Sequence, residues 1–109
     1  MVERFSKKKV EVVIEQPALN RLLDALNRAE CAGWSILPVN AGFGRSGAWE
    51  AVGMVGTTSS MALVIMVLDD SNLDSVLNAV SGVLSRHIGI VTVTDCEVLR
   101  PERFPKQDA

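Results

Sequence analysis

Tyrosine is absent from this 109-residue chain, histidine occurs once, at His87, and cysteine only twice, at Cys31 and Cys96. One histidine and two distant cysteines leave no set of ligands at metal-binding spacing, so no metal site is expected. The cysteines read as small buried hydrophobes in a reducing compartment rather than as a disulfide. Positive charge is not in excess either: the formal net charge is −2 and the pI is near 5.3, which excludes broad electrostatic binding of nucleic acid. The run Lys7-Lys8-Lys9 then reads as a solvated lead-in to the first strand. Long apolar stretches are also missing. The opening Met-Val-Glu-Arg has no apolar leader, and no run approaches membrane-spanning length. Hydrophobic residues nevertheless make up 48%, too many for a disordered chain. The expectation is a single cytosolic domain over residues 1–109, with residues 1–8 and 105–109 as flexible ends and no membrane insertion.

What is present alternates between strand and helix patterns. Lys9 to Glu15 places Val10, Val12 and Ile14 on one face, with Val13 the apolar exception on the other. Pro17 suits the start of a helix, where its missing N–H costs nothing. Leu19, Leu22, Leu23, Leu26 and Ala29 then form one helical stripe, and Gly33 reads as its left-handed stop. Trp34 to Val39 is a second strand, and Met61 to Leu68 a third, apolar on both faces as a central strand would be. Ser71 with Asp74 resembles a capping box, opening a second helix with Leu73, Val76, Leu77, Val80 and Leu84 as its stripe. After the connection 85–89, Ile90 to Val93 is a fourth strand and Glu97 to Leu99 a short fifth. The order is that of an α+β, ferredoxin-like βαββαβ domain: an antiparallel sheet with two helices on one face. Its other face would carry too much apolar surface for a monomer, which points to a closed oligomer such as a trimer.

Between the second and third strands lies the segment 41–60, AGFGRSGAWEAVGMVGTTSS, with five of the eight glycines. Compact domains seldom keep a structureless connection of this length without a use for it. Gly42 and Gly44 would let backbone N–H groups approach a phosphate or carboxylate closely; a solvated excursion without ligand is the alternative. Trp49, Val52, Met54 and Val55 are apolar where a solvated loop would be polar. Either they fold back on the assembly, or they contact a partner, a use that suits Trp49 and Met54.

The element order, the helix PALNRLLDALNRA, the segment GWSILPVNAGFGRSG and the later RHIGIVTVTD together resemble the PII signal-transduction proteins over about residues 9–103. Within that family, RHIG followed by LRPERF is most similar to the carboxysome-associated PII-like proteins, bicarbonate-responsive binders of adenine nucleotides. The resemblance implies a homotrimer with a nucleotide in each of three inter-subunit clefts, and a long T-loop at 42–60 as its output. It implies nucleotide contacts at Ser35, near the adenine; at Gly42, Gly44 and Arg45, where the T-loop begins; at Arg86, His87 and Gly89, in the phosphate-facing B-loop; and at Arg100 and Arg103. Bicarbonate, as second effector, is expected on Gly42, Phe43, Gly44 and Arg45. Two departures favour ADP or AMP over ATP: the usual G-x-G-K of the B-loop is shortened to R-H-I-G without lysine, and Pro101-Glu102 separates the two terminal arginines. Without tyrosine, tyrosine-directed modification of the loop is excluded. Without a terminal cysteine pair, the redox-switched relatives linked to bicarbonate transporters are disfavoured.

Four of the seven arginines, Arg45, Arg86, Arg100 and Arg103, would meet at that cleft, and a planar guanidinium fork suits phosphate or carboxylate. Solvated surface arginines are the alternative. His87 is either a structural turn residue or a phosphate-facing group. No catalytic constellation appears, since Asp69-Asp70 ends a strand and no nucleophile is marked for activation. A non-enzymatic sensor with no prosthetic group is therefore expected, signalling inorganic-carbon or energy status to an unidentified partner. The competing reading is a structural trimer or adaptor that recruits its partner through the apolar loop without ligand control. A metal-binding relative of the same fold is disfavoured by the ligand count.

Overall fold

The computed structural model describes residues 2–44, 47–50 and 60–99. Its centre is β1 (Phe5–Glu15), which starts four residues before the expected Lys9 because Phe5 to Lys8 pair with β6 (Gly89–Val98). On its other side β1 pairs with β5 (Met61–Leu68), and β5 in turn with β2 (Ser35–Val39). All three pairings are antiparallel, and the strand order is β2-β5-β1-β6. The α+β, ferredoxin-like architecture is thus the one the sequence pattern implies. The expected fourth and fifth strands are one strand of ten residues. Thr94, Asp95 and Cys96 break the apolar pattern there, but their backbone stays paired opposite Lys9, Lys8 and Lys7.

Period-two alternation decides what the sheet buries. Val10, Val12 and Ile14 of β1 and Ala62, Val64, Met66 and Leu68 of β5 turn toward the helices and are buried. Val13, Leu63, Ile65 and Val67 turn the other way and are only partly covered. Leu22 and Leu26 of α1 (Leu19–Arg28) and Val76 and Val80 of α2 (Leu73–Leu84) close the core from above at 0% exposure. Each such side chain contributes about 1.5–3 kcal/mol by leaving water.

Helix ends depart from the sequence-based expectation. Pro17 sits in a 3-10 turn, Gln16–Ala18, that leads into α1. The left-handed stop is not Gly33 but Glu30, at φ 58°. There the Glu30 N–H donates to Asn27 O and the Cys31 N–H to Leu26 O, at 3.1 and 3.0 Å, the two bonds of a Schellman closure. The closure drops Cys31 into the core, and burial pushes its thiol pKa up. The capping-box pair does not form either. A 3-10 turn over Asp70–Asn72 moves the helix start past Ser71, and Asn72, the residue before α2, makes no side-chain cap. Its amide Nδ2 donates instead to Glu30 O at 3.4 Å, joining the two helix termini.

The segment after β2 is not wholly structureless. β3 (Ala41–Gly44) and β4 (Gly47–Glu50) pair as a two-stranded antiparallel ribbon, with Gly42 opposite Trp49 and Gly44 opposite Gly47.

Candidate functional site

One end of the sheet collects the chain's two distinctive connections. The register sets Val39 and Glu15 beside Met61, and Ile14 beside Gly89. The exit into the 41–60 segment, its return, and the 85–89 turn therefore lie around the last residues of β1. Two backbone bonds fasten them: Gln16 N–H donates to Ser60 O at 3.0 Å, and Glu15 N–H to Ile88 O at 3.1 Å.

The 85–89 turn is built from α2's unravelling end. Arg86 N–H donates to Val83 O and His87 N–H to Leu84 O, at 3.2 and 3.3 Å. The Ser85 hydroxyl donates back to Gly82 O at 2.9 Å. The side chain of Glu15 then holds the turn from below: its Oε1 accepts from the Ile88 N–H at 3.3 Å and lies 3.0 Å from His87 Nδ1. The far ring nitrogen, Nε2, lies 3.2 Å from Arg21 Nη1. A guanidinium offers donors only, so Nε2 accepts and the proton sits on Nδ1, where it donates to Glu15. His87 is thus a neutral turn residue with both nitrogens engaged inside the chain, and its side chain is only 16% exposed. Of its two sequence-based readings, the geometry supplies the structural one.

Gly89 also has a steric reason to be glycine. A Cβ there would lie 2.7 Å from Val13 O and 2.6 Å from Leu84 Cδ2. Arg86 is exposed and, with Arg21, Asp24 and Arg28, borders an open groove of about 900 Å³ between α1 and α2. Ser35 is exposed at the far end of β2, four residues from Val39 and so roughly 13 Å away at the ~3.3 Å rise of a strand. A single chain does not bring it to the turn. Gly42, Phe43 and Gly44 lie in β3 rather than in a free loop, and the Phe43 side chain is 85% exposed. Trp49 lies in β4. Arg45, Met54, Arg100 and Arg103 fall outside the described residues.

Sequence reasoning missed Glu15 and Arg21. Glu15 reads as one more polar residue on a half-buried strand, and Arg21 as an off-stripe helix position. Their meeting point, His87, is 72 and 66 residues away, and only the register reveals it. The lysine run is not a merely solvated lead-in either. Lys7 pairs with Asp69, and Lys8 Nζ lies 2.5 Å from Asp95 Oδ1 and 3.9 Å from Asp70 Oδ1. The Lys8 pKa is accordingly raised, chiefly by the hydrogen bond to Asp95. Among the described residues, no group of three or more His, Cys, Asp or Glu side chains is placed to hold a metal ion, and no helix is long and apolar enough to cross a membrane.

Comparison with known proteins adds a family and a set of related folds. A family model described as nitrogen regulatory protein P-II matches residues 7–103. Among solved structures, the chain is similar to CPII, a nitrogen regulatory PII-like protein from Thiomonas intermedia K12. With CPII bound to ADP, AMP and bicarbonate the TM-score is 0.84 at 24% identity, over 94% of this chain and 97% of that one. With CPII bound to ADP and bicarbonate it is 0.84 at 25% identity, over 96% and 100%. A putative PII-like signalling protein from Thermus thermophilus follows at 0.77 and 18% identity, over 94% and 99%. No curated protein sequence matches.

Proposed function

The chain belongs to the P-II family of nitrogen regulatory proteins, and from that premise we propose that it is a non-enzymatic, homotrimeric sensor of adenine nucleotide and bicarbonate. The observation that carries this reading is the convergence of the 41–60 segment's base and the 85–89 turn at one sheet end, on a fold whose relative CPII was solved with ADP, AMP and bicarbonate. In a trimer, Ser35 of one subunit would face that end of the next, closing a cleft that no single chain contains. Arg86, with Arg45, Arg100 and Arg103, would supply guanidinium partners for the phosphates, and the Gly89 backbone would approach them. His87 would act through the turn rather than by direct contact. ADP or AMP is preferred over ATP because no lysine stands in the turn to meet a third phosphate.

Bicarbonate is small and strongly hydrated, so it needs backbone donors and a fork together. Gly42, Phe43, Gly44 and Arg45 would provide both, beside the nucleotide. The output is then the conformation of the 42–60 segment, presented to a protein partner through residues such as Trp49 and Met54.

Calorimetric titration with ADP, AMP and ATP, with and without bicarbonate, tests this reading. ADP and AMP should bind more tightly than ATP, and bicarbonate should strengthen nucleotide binding by a coupling of roughly 1–2 kcal/mol, equal in both directions. Arg45→Ala should abolish that coupling and leave the fold intact. No heat from any nucleotide at millimolar concentration would end the proposal.

A further inference from the structure

Glu15 does more than finish a strand. One of its oxygens meets the turn twice, at the Ile88 N–H and at the His87 ring, while the backbone N–H of the same residue donates to Ile88 O. Both side chains are largely covered, at 13% and 16% exposure. Through the ring the contact continues to Arg21 on α1, so β1, the 85–89 turn and α1 meet across one imidazole. The next residue, Gln16, binds the base of the 41–60 segment at Ser60.

We propose that Glu15 is the positioning residue of the 85–89 turn: it seats the turn on β1 and, through neutral His87, ties it to Arg21, so that a proton on His87 releases the turn from α1. The ligand consequence rests on the nucleotide reading above; the latch itself does not.

The chemistry runs in one direction. Neutral His87 accepts at Nε2 and donates at Nδ1, which satisfies both neighbours. Protonated His87 has two donors and no acceptor, and Arg21 has donors only. The Arg21 contact must then open, while the bond to Glu15 becomes charge-assisted and draws the ring toward β1. Among the described residues, Glu15 from β1 and Arg21 from α1 contact the ring, and Arg86 is its charged neighbour in the turn itself. Asp24 and Arg28 of α1 border the same groove, and the α2 residues there, Asn78, Ala79, Gly82 and Val83, are uncharged. By that count of donors and acceptors, the tether to α1 is kept while the ring is neutral and lost once it is protonated. A turn with one tether fewer is less pre-organised for a ligand.

Two measurements on the full-length protein separate the latch from the ligand. Long-range proton–nitrogen correlation spectra of the free protein near pH 8 should show His87 with its proton on Nδ1. Acidification should move the Ile88 amide and the Arg21 guanidinium together with the ring. A proton on Nε2, or a freely averaging tautomer, overturns the latch whether or not any nucleotide binds.

The second measurement is ADP affinity between about pH 8 and pH 6, for wild type and for His87→Gln, Glu15→Gln and Glu15→Ala. The His87→Gln profile contains only the ligand's own phosphate titration. Beyond it, wild type should weaken by roughly 3- to 10-fold at the acid end, the weight of about one hydrogen bond. Glu15→Ala should lose about 10-fold or more at pH 8, since an acceptor shared by two donors is gone. Glu15→Gln should recover most of that loss, because its amide oxygen still accepts. Matching wild-type and His87→Gln profiles, tighter wild-type binding at the acid end, or unimpaired Glu15→Ala would each overturn the proposal. Absence of ADP binding in every variant would instead refute the nucleotide reading, and the spectra would still decide the latch.

Discussion

Gly89 shows how a residue can fit a ligand motif and still be fixed by packing. It opens β6 against β1, and a single methyl would meet Val13 O at 2.7 Å. That atom is backbone in a central strand and cannot swing aside, unlike the Leu84 methyl on the other side. Gly89→Ala should therefore destabilise the protein by about 1–3 kcal/mol, read as a lower midpoint in urea unfolding without ligand. A change below about 0.5 kcal/mol would mean that β6 yields, leaving the glycine to be explained by ligand approach alone. The sequence could not separate these two roles, because both ask for the same missing Cβ. Glu30 is the opposite case. Composition points to Gly33 as the left-handed stop, yet the chain places Glu30 there at φ 58°, a conformation that disfavours side chains. The position of a helix stop follows from where the core takes up Cys31, and composition does not show that. The role of Cys31 itself as a small buried hydrophobe was legible, and it sits at 7% exposure.

At the scale of elements, hydrophobic periodicity was a dependable guide and caps were not. Leu22 and Leu26 in α1, and Val76 and Val80 in α2, stand where their stripes put them. The Ser71–Asp74 pair failed because a 3-10 turn intervened, and such a turn has no period of its own. The β3–β4 ribbon was hidden for a different reason. Gly42, Gly44 and Gly47 have no side chains to alternate, so a paired strand reads as loop. Gly82 offers a clean test of propensity within α2. Its φ is not left-handed, and a Cβ there would meet nothing within 4 Å. Among the described residues, no close neighbour offsets the roughly 0.5–1 kcal/mol that glycine costs in a helix. Gly82→Ala should stabilise the isolated protein by about that amount, measured as a raised thermal midpoint. A loss of stability instead would mean that the groove between α1 and α2 is filled in solution, most simply by a bound partner or a neighbouring subunit.

For the whole molecule, the informative surface is the face of the sheet that the helices leave bare. Val13, Leu63, Ile65 and Val67 turn to it from the two central strands, with Leu37 from β2 and Ile90 from β6. Leu37 is 41% exposed and Ile90 61% in the single chain. Six aliphatic side chains on one contiguous face form a patch that a monomer would leave in water. Burying it between copies under closed symmetry is the homotrimer proposed above, and the same packing would create the clefts for nucleotide. Ile90→Asp addresses this directly. In the single chain Ile90 is already mostly solvated, so the substitution should change the stability of the fold itself by no more than about 0.5 kcal/mol. In the trimer it would bury a carboxylate at each of three equivalent positions with no partner for its charge, a cost of several kcal/mol. Sedimentation should therefore find wild type at three times the 11.8 kDa chain mass and Ile90→Asp mainly as monomer, with its circular dichroism spectrum unchanged. Nucleotide binding should be lost along with assembly, because Ser35 and the 85–89 turn would no longer face each other across a boundary. A trimeric Ile90→Asp, or a monomeric wild type, would sink the proposed arrangement. A monomeric variant that still binds ADP at full strength would place the nucleotide within one chain instead of between two.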